Sequence, residues 1–247
     1  MIRTCIFDIY KTLVRVHLEE NPSEDRWRIL WRDQLHSTPR ITLADLRKLS
    51  RAIVLQKHQE ANKQGILYPE IQWPMIMNEA IPELSYLSVQ AHDSFIREHL
   101  KLSRSLSLEA ACAECLVSLR QAQIPMGLAS NAQEYTLKEL NILLQKHGLD
   151  LSLFDPHLVF LSYEHGFSKP DPYAFRILNS RLEARGLQAQ EVLMVGDRFD
   201  NDIGPASALG WNTWQLTDES TEATANSGPW NKFRSMLQDT LKLGHTC

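Results

Sequence analysis

The feature that most constrains this chain is its opening stretch, MIRTCIFDIYKTL. Ile2, Cys5, Ile6 and Phe7 form an apolar run that is too short for a helix and suited to a buried strand. The run stops at Asp8, with Tyr10, Lys11 and Thr12 close behind. Open α/β sheets bind ligands in the crevice beyond the carboxyl ends of their strands, so an acid there stands where a ligand arrives. Alone, Asp8 reads more simply as a residue that caps or turns the chain. Three later stretches, each a strand end followed by polar residues, favour the ligand reading.

Those stretches follow Ser103, where strand and helix alternate. Ile124–Ala129 is an expected strand ending in Ser130 and Asn131, His157–Leu161 a second, and Val192–Val195 a third ending in Gly196 and Asp197. Thr213–Leu216 is expected at the sheet edge. Helices are expected over Ser107–Gln123, Glu134–His147 (stopped by Gly148), Pro172–Glu183, Ile203–Leu209 and Trp230–Leu243. Strands spaced by such helices predict an α/β fold with a doubly wound parallel sheet, a Rossmann-like core over 1–13 and 104–247.

Between them, 14–103 has helical periodicity and no convincing strand alternation, which predicts an inserted all-helical domain. Helices are expected over Arg26–Leu35, Thr42–Gln56 (Thr42 as N-cap, with Asp45 three on), Met75–Ala80 and Val89–Leu100. Trp27, Trp31 and Trp73 read as core of this bundle rather than as a substrate entrance.

A net charge of −4 gives no electrostatic reason to expect nucleic acid or an anionic membrane. No apolar run approaches the roughly 18 residues of a membrane span, and Asp8 and Lys11 interrupt any signal-peptide pattern, so the expected location is cytoplasmic. Cys112 and Cys115 form one Cys-x-x-Cys without further ligands at zinc spacing, and read as small apolar residues on a helix face. Cys5 lies in the first strand, Cys247 ends the chain, and no disulfide is expected.

The strand ends suit attack by a carboxylate on an electrophile that carries negative charge. Asp8 is the expected nucleophile, forming a covalent aspartyl intermediate. Ser130, with backbone amides after Asp8, is expected to hold anionic oxygens, and Lys169, from the loop FSKPDP, to neutralise charge between nucleophile and substrate. Asp197 beside Asp8 calls for a cation between them, and magnesium binds through one or two carboxylates plus substrate phosphate oxygens.

The ordered set DxYxTL, SN, KPDP and VGDRFDND resembles the haloacid dehalogenase superfamily over essentially the whole chain. The resemblance matches Asp8, Tyr10 and Thr12 to the first motif, Ser130 to the second, Lys169 to the third, and Asp197 with Asp202 to the fourth. It implies that 14–103 is a mobile helical cap. It also implies a magnesium site of Asp8, the Tyr10 backbone carbonyl, Asp197, and Asp202 as ligand or one layer behind. Thr12, Asn131 and Tyr10 are expected on the substrate side.

The departures are informative. Most phosphatases of the superfamily carry an aspartate two residues past the nucleophile as acid and base. Here that residue is Tyr10, and an unperturbed tyrosine, with a pKa of about 10, is a poor base at neutral pH. Lys11 replaces the usual glycine after it. The 2-haloacid dehalogenases also have tyrosine there, but need no metal and carry Ser and Asn for the fourth-motif acid. They use a cap arginine, for which Arg28 or Arg32 is the candidate, and a tyrosine where this chain has Phe175. Asp200 reads either as a ligand or as an acid at a helix N-terminus, and Arg198 as facing substrate or solvent.

The expected function is a magnesium-dependent hydrolase of small phosphorylated metabolites, working through an aspartyl phosphate and favouring good leaving groups. The alternatives are a metal-free 2-haloacid dehalogenase and a non-catalytic binding protein on the same scaffold.

Overall fold

The computed structural model describes residues 1–218 and 225–243; Cys247 lies outside them. The chain divides into two compact units, Met1–Arg15 with Ser107–Cys247, and Val16–Leu106. The strands are β1 (Thr4–Phe7), β2 (Arg15–Leu18), β3 (Arg104–Ser107), β4 (Met126–Ser130), β5 (Phe154–Leu161), β6 (Val192–Gly196), β7 (Asn212–Leu216) and β8 (Ser227–Gly228). The helices are α1 (Glu24–Leu35), α2 (Leu43–Lys63), α3 (Trp73–Ala80), α4 (Val89–Ser103), α5 (Ala110–Gln121), α6 (Thr136–Gln145), α7 (Ser162–His165), α8 (Pro172–Glu183), α9 (Gly204–Ala208) and α10 (Trp230–Leu243).

The first unit is built on a six-stranded sheet in the order β5-β4-β1-β6-β7-β8, every pair parallel. β1 is therefore central, with Phe7 facing Leu128 on one side and Val195 on the other. The chain builds outward to β5 on one flank, then crosses β1 and builds outward again from β6. This reversal makes the carboxyl end of β1 the place where a crevice opens. β1, β4 and β6 are buried along their whole length, as unbroken apolar runs in a sheet covered on both faces require.

Successive residues of a strand face opposite ways. Ile6 enters a core with Leu158, Phe160, Phe175, Met194 and Trp211. Phe7 lies 6.4 Å from the Trp230 ring of α10, and Trp230 and Trp214 each pack 5.4 Å from Phe233. Cys5, Cys112 and Cys115 are buried free thiols. Burial pushes the Cys5 and Cys115 thiols up to about 12, so both stay protonated and unreactive at neutral pH.

Several elements differ from the sequence expectation. β2 and β3 pair with each other, but β2 keeps three of its four residues exposed and leaves no apolar alternation to read. β5 starts at Phe154, three residues earlier than expected, because Asp155 and Pro156 interrupt its apolar pattern where its register against β4 shifts. β7 is not the edge, since the two-residue β8 pairs beyond it. Ser107 also belongs to β3, so the helix expected from that residue begins at Ala110.

In the second unit, the side-chain oxygens of Ser23, Thr42 and Ser88 each accept a backbone N–H at the starts of α1, α2 and α4. Trp27 and Trp31 are fully buried, packed edge-on with centroids 5.6 Å apart, and Phe95 stands 5.8 Å from Trp27. They are bundle core. Arg28 and Arg32 lie on the exposed side of α1, paired with Asp25 and Asp33.

His99 packs 5.6 Å from Trp27, and its Nδ1 is buried without a hydrogen-bond partner among the described residues. Burial, with Arg47 nearby, lowers its pKa to about 4. A histidine depressed on folding contributes stability above its unfolded pKa of about 6.5 and loses it as pH falls towards the folded value. Acidification from pH 7 to 4 is expected to cost up to about 3 kcal/mol through this group. Urea midpoints across that range for wild type and His99→Gln test this; the variant is expected to show the shallower pH dependence.

Candidate active site

The end of β1 delivers Asp8, whose N–H still donates to the Val195 carbonyl at 2.9 Å and so is fixed by the β6 ladder. Beyond it the chain turns sharply: Lys11 adopts φ 62°, and its N–H donates to the Val14 carbonyl at 2.7 Å. That left-handed conformation suits glycine, yet the turn forms with lysine at a modest backbone cost. The replacement of the usual glycine leaves the turn intact.

Lys169 arrives from the loop after α7 and is 3% exposed. Its ammonium donates to Asp8 Oδ1 at 2.8 Å, to the Ala129 carbonyl at 2.6 Å and to Asp202 Oδ1 at 2.5 Å, which uses all three of its protons. Burial pulls the Lys169 pKa down, but Asp8 and Asp202 outweigh it and the net direction is up, so the ammonium stays charged. Asn131 holds this lysine in place: its Oδ1 accepts the Lys169 N–H at 2.7 Å and its Nδ2 donates to the Lys169 carbonyl at 2.9 Å. Expected on the substrate side, Asn131 has both ends of its amide on the lysine backbone.

β6 ends in Gly196, followed by Asp197 and a π-helical turn over Phe199–Ile203. The turn sorts its acids. Asp202 points inward and is 1% exposed, with its Oδ2 accepting the Arg198 N–H at 3.1 Å. Asp200 points outward and pairs with the Arg198 guanidinium at the surface, which answers both open readings in favour of solvent. A Cβ on Gly196 would stand 2.5 Å from Asp202 side-chain atoms, so only glycine lets that carboxylate fold back against β6. Sequence reading had no signal for this dependence.

Asp8, Asp197 and Asp202 each offer a carboxylate oxygen, and these atoms lie within 4.8 Å of one another. Burial, then the charge of Asp8, raises the Asp197 pKa, against the opposing pull of Lys11 and Lys169. Burial pushes Asp202 up to about 6 even with Lys169 pulling it down. Such a crowd of carboxylates is costly unless cations neutralise it. At the same strand ends, the hydroxyls of Ser130 and Thr12 are buried and make no hydrogen bond among the described residues. Leaving a buried hydroxyl unpaired costs about 1–3 kcal/mol, an expense characteristic of a seat shaped for a polar guest.

Tyr10 reaches away from this cluster to the next helix. Its phenol donates to Glu139 Oε2 at 2.5 Å and lies 3.2 Å from Thr136 Oγ1. Glu139 escaped sequence reading because it sits in the first turn of α6, 129 positions from Tyr10.

This chain matches the family described as haloacid dehalogenase-like hydrolase over residues 2–210. It is a member of that family. Glyceraldehyde 3-phosphate phosphatase of Pyrococcus abyssi is 32% identical over 98 residues, which are 40% of this chain and 37% of that protein. The chain therefore spans little more than a third of that relative. The 2-haloacid dehalogenase of Pseudomonas syringae pv. Tomato DC3000 superposes with a TM-score of 0.59 at 18% identity, covering 97% of this chain and 99% of that one. A haloacid dehalogenase family enzyme of Bacteroides thetaiotaomicron, solved as a mutant with magnesium and inorganic phosphate, gives a TM-score of 0.53 at 16% identity, covering 91% and 98%. At those identities the likeness is one of fold. The chain is thus a haloacid dehalogenase-like hydrolase, whose known relatives by sequence or fold include a phosphatase and a dehalogenase. No helix among the described residues is long and apolar enough to cross a membrane.

Proposed function

We propose that this hydrolase is a magnesium-dependent phosphatase of small phosphorylated metabolites, with Asp8 as nucleophile. The observation that carries the reading is the set of carboxylates from Asp8, Asp197 and Asp202 within 4.8 Å, a hard-oxygen donor set of the kind magnesium takes. Both Asp202 oxygens already accept hydrogen bonds, from Lys169 and from the Arg198 N–H. Asp8 and Asp197 are therefore the carboxylates we assign to direct coordination, with the Tyr10 carbonyl, and Asp202 behind them. When bound, the ion would offset the charge of nucleophile and phosphate and polarise the phosphoryl oxygens.

The protein's own groups then have distinct tasks. Lys169 holds Asp8 in one orientation and balances its charge. The unpaired hydroxyls of Ser130 and Thr12 receive phosphoryl oxygens. Asp8 attacks phosphorus, the bond to the leaving oxygen breaks, and water later cleaves the aspartyl phosphate. With tyrosine at position 10, poor leaving groups lack an acid, so acyl phosphates and aryl phosphates are the preferred class. Val16–Leu106 is assigned as the helical cap that selects among them.

A dehalogenase reading is less well supported. Arg28 and Arg32 are exposed and paired on the second unit, and Phe175 is buried against Trp211, with ring centroids 6.0 Å apart, in the apolar core. Turnover of a phosphate panel (acetyl phosphate, p-nitrophenyl phosphate, a sugar phosphate) with and without Mg²⁺ tests the proposal. Chelator-sensitive hydrolysis of the first two, well above the third, is expected. Halide release from 2-chloropropionate that ignores chelator would overturn it.

A further inference from the structure

The three acids of the candidate site are not held alike. The Asp8 carboxylate accepts from Lys169, and both Asp202 oxygens accept, one from Lys169 and one from the Arg198 N–H. The Asp197 carboxylate accepts no hydrogen bond from any other residue among the described ones. Its place is therefore set by its main chain.

That main chain is held from the neighbouring strand. The Gln215 side-chain amide donates from Nε2 to the Asp197 carbonyl at 3.0 Å. The contact follows from the sheet register, in which Gln215 of β7 stands level with Gly196, the residue before Asp197. Side chains alternate between the faces of a strand. On β7, Trp214 and Leu216 are buried, with Trp214 packed on Phe233 of α10. Gln215, half-buried between them, takes the opposite face.

The anchor is itself well fixed. β7 lies between β6 and β8, and β8 pairs with Gln215 and Leu216. The Gln215 N–H donates to the Asn226 carbonyl at 3.0 Å. The two-residue strand β8 thus covers the flank of β7 at the point where the glutamine stands, and the side chain reaches Asp197 from a backbone paired on both sides.

We infer that Gln215 is a positioning residue for Asp197, fixing the backbone from which that carboxylate takes up the metal ion. The inference rests on the magnesium phosphatase reading. Ligand acids hold an ion best when their orientation is settled before it arrives, and groups behind the ligands supply that order. For Asp8 and Asp202 the order is imposed on the carboxylates themselves. For Asp197 it is imposed on the carbonyl, and Gln215 imposes it. The amide is uncharged, so it acts on geometry and leaves the net charge of the site as it is.

Loss of a partner behind a metal ligand typically weakens metal binding about 10–100-fold. A half-buried bond that acts through the main chain belongs at the lower end of that range. The test uses the full chain. Gln215→Met keeps the length of the side chain and removes the donor. Gln215→Asn keeps the amide one methylene too short, and serves if the methionine variant folds poorly. Thr213→Val, on the same face of β7, controls for packing of that strand. Mg²⁺ affinity is read from the dependence of the melting temperature on Mg²⁺ without substrate, beside kcat for acetyl phosphate at saturating Mg²⁺.

Both Gln215 variants are expected to bind Mg²⁺ about tenfold more weakly, with kcat at saturating ion within about threefold of wild type. Thr213→Val is expected to keep the wild-type affinity. Unchanged Mg²⁺ affinity in the Gln215 variants would overturn the inference while leaving the phosphatase reading intact. An equal loss in Thr213→Val would also overturn it, since the effect would then belong to β7 packing. A wild-type chain that binds no Mg²⁺, or yields no acid-trapped phosphoenzyme from acetyl phosphate, would sink the underlying reading and the role of Gln215 with it.

Discussion

Asp8→Asn is expected to remove turnover of every phosphate substrate, by about 10⁴–10⁶-fold, as loss of a covalent nucleophile does elsewhere. The amide is nearly isosteric and cannot form the acyl phosphate. Stability should change far less. Lys169 keeps two of its three acceptors, the Ala129 carbonyl and Asp202, so its ammonium is not left bare. Asp197 also loses a neighbour whose charge raises its pKa, so its carboxyl should titrate lower in the variant. An inactive protein melting within a few degrees of wild type, with no trapped phosphoenzyme, is the expected combination. Retained turnover would exclude Asp8 as the nucleophile in both the phosphatase and the dehalogenase readings.

The parts of this site that were legible in the sequence are those with a local signature. β1 and β6 are apolar runs cut off by an acid, and β4 is one cut off by Ser130 and Asn131, so both the strands and the residues at their ends could be read. Elements held by backbone pairing alone left no trace, because periodicity records burial and not hydrogen bonding. β2 has one face barely covered, and β8 is two residues long. Within the site, residue types were readable and contacts were not. Asp200 and Asp202 have the same chemistry two positions apart; only the π-helical turn, and the absence of a side chain on Gly196, settles which one turns inward. Asn131 reads as a ligand-binding amide until the Lys169 backbone is seen to occupy both of its ends. The hydrogen bond from Tyr10 to Glu139 joins the loop after β1 to α6 across 129 positions, which no spacing rule encodes.

Lys169→Met tests the electrostatics most severely. The variant keeps the apolar stem and removes the only charge that touches both Asp8 and Asp202 among the described residues. Breaking a buried ion pair from one side costs about 3–5 kcal/mol, because the remaining charges lose their partner without regaining water. Activity should fall about 10²–10³-fold, the range for removing one preorganised charge-stabilising donor. The pH dependence distinguishes this from a packing defect. Asp202 already sits at about 6 with the lysine pulling it down, so removing the lysine moves it higher. A carboxyl raised above its unfolded pKa of about 4 favours the folded state at low pH and gives up that advantage as pH rises through the folded value. The stability gap between wild type and Lys169→Met is therefore expected to be widest above pH 7 and to close towards pH 5, whereas a cavity left by the ammonium would cost the same at both. Mg²⁺ should also raise the variant's melting temperature more than the wild type's, since a divalent ion returns charge to the place the lysine left. A gap that is flat in pH and indifferent to Mg²⁺ would mean that the three acids are not held together against their own repulsion, and the case for a phosphate and metal seat at the end of β1 would fail with it.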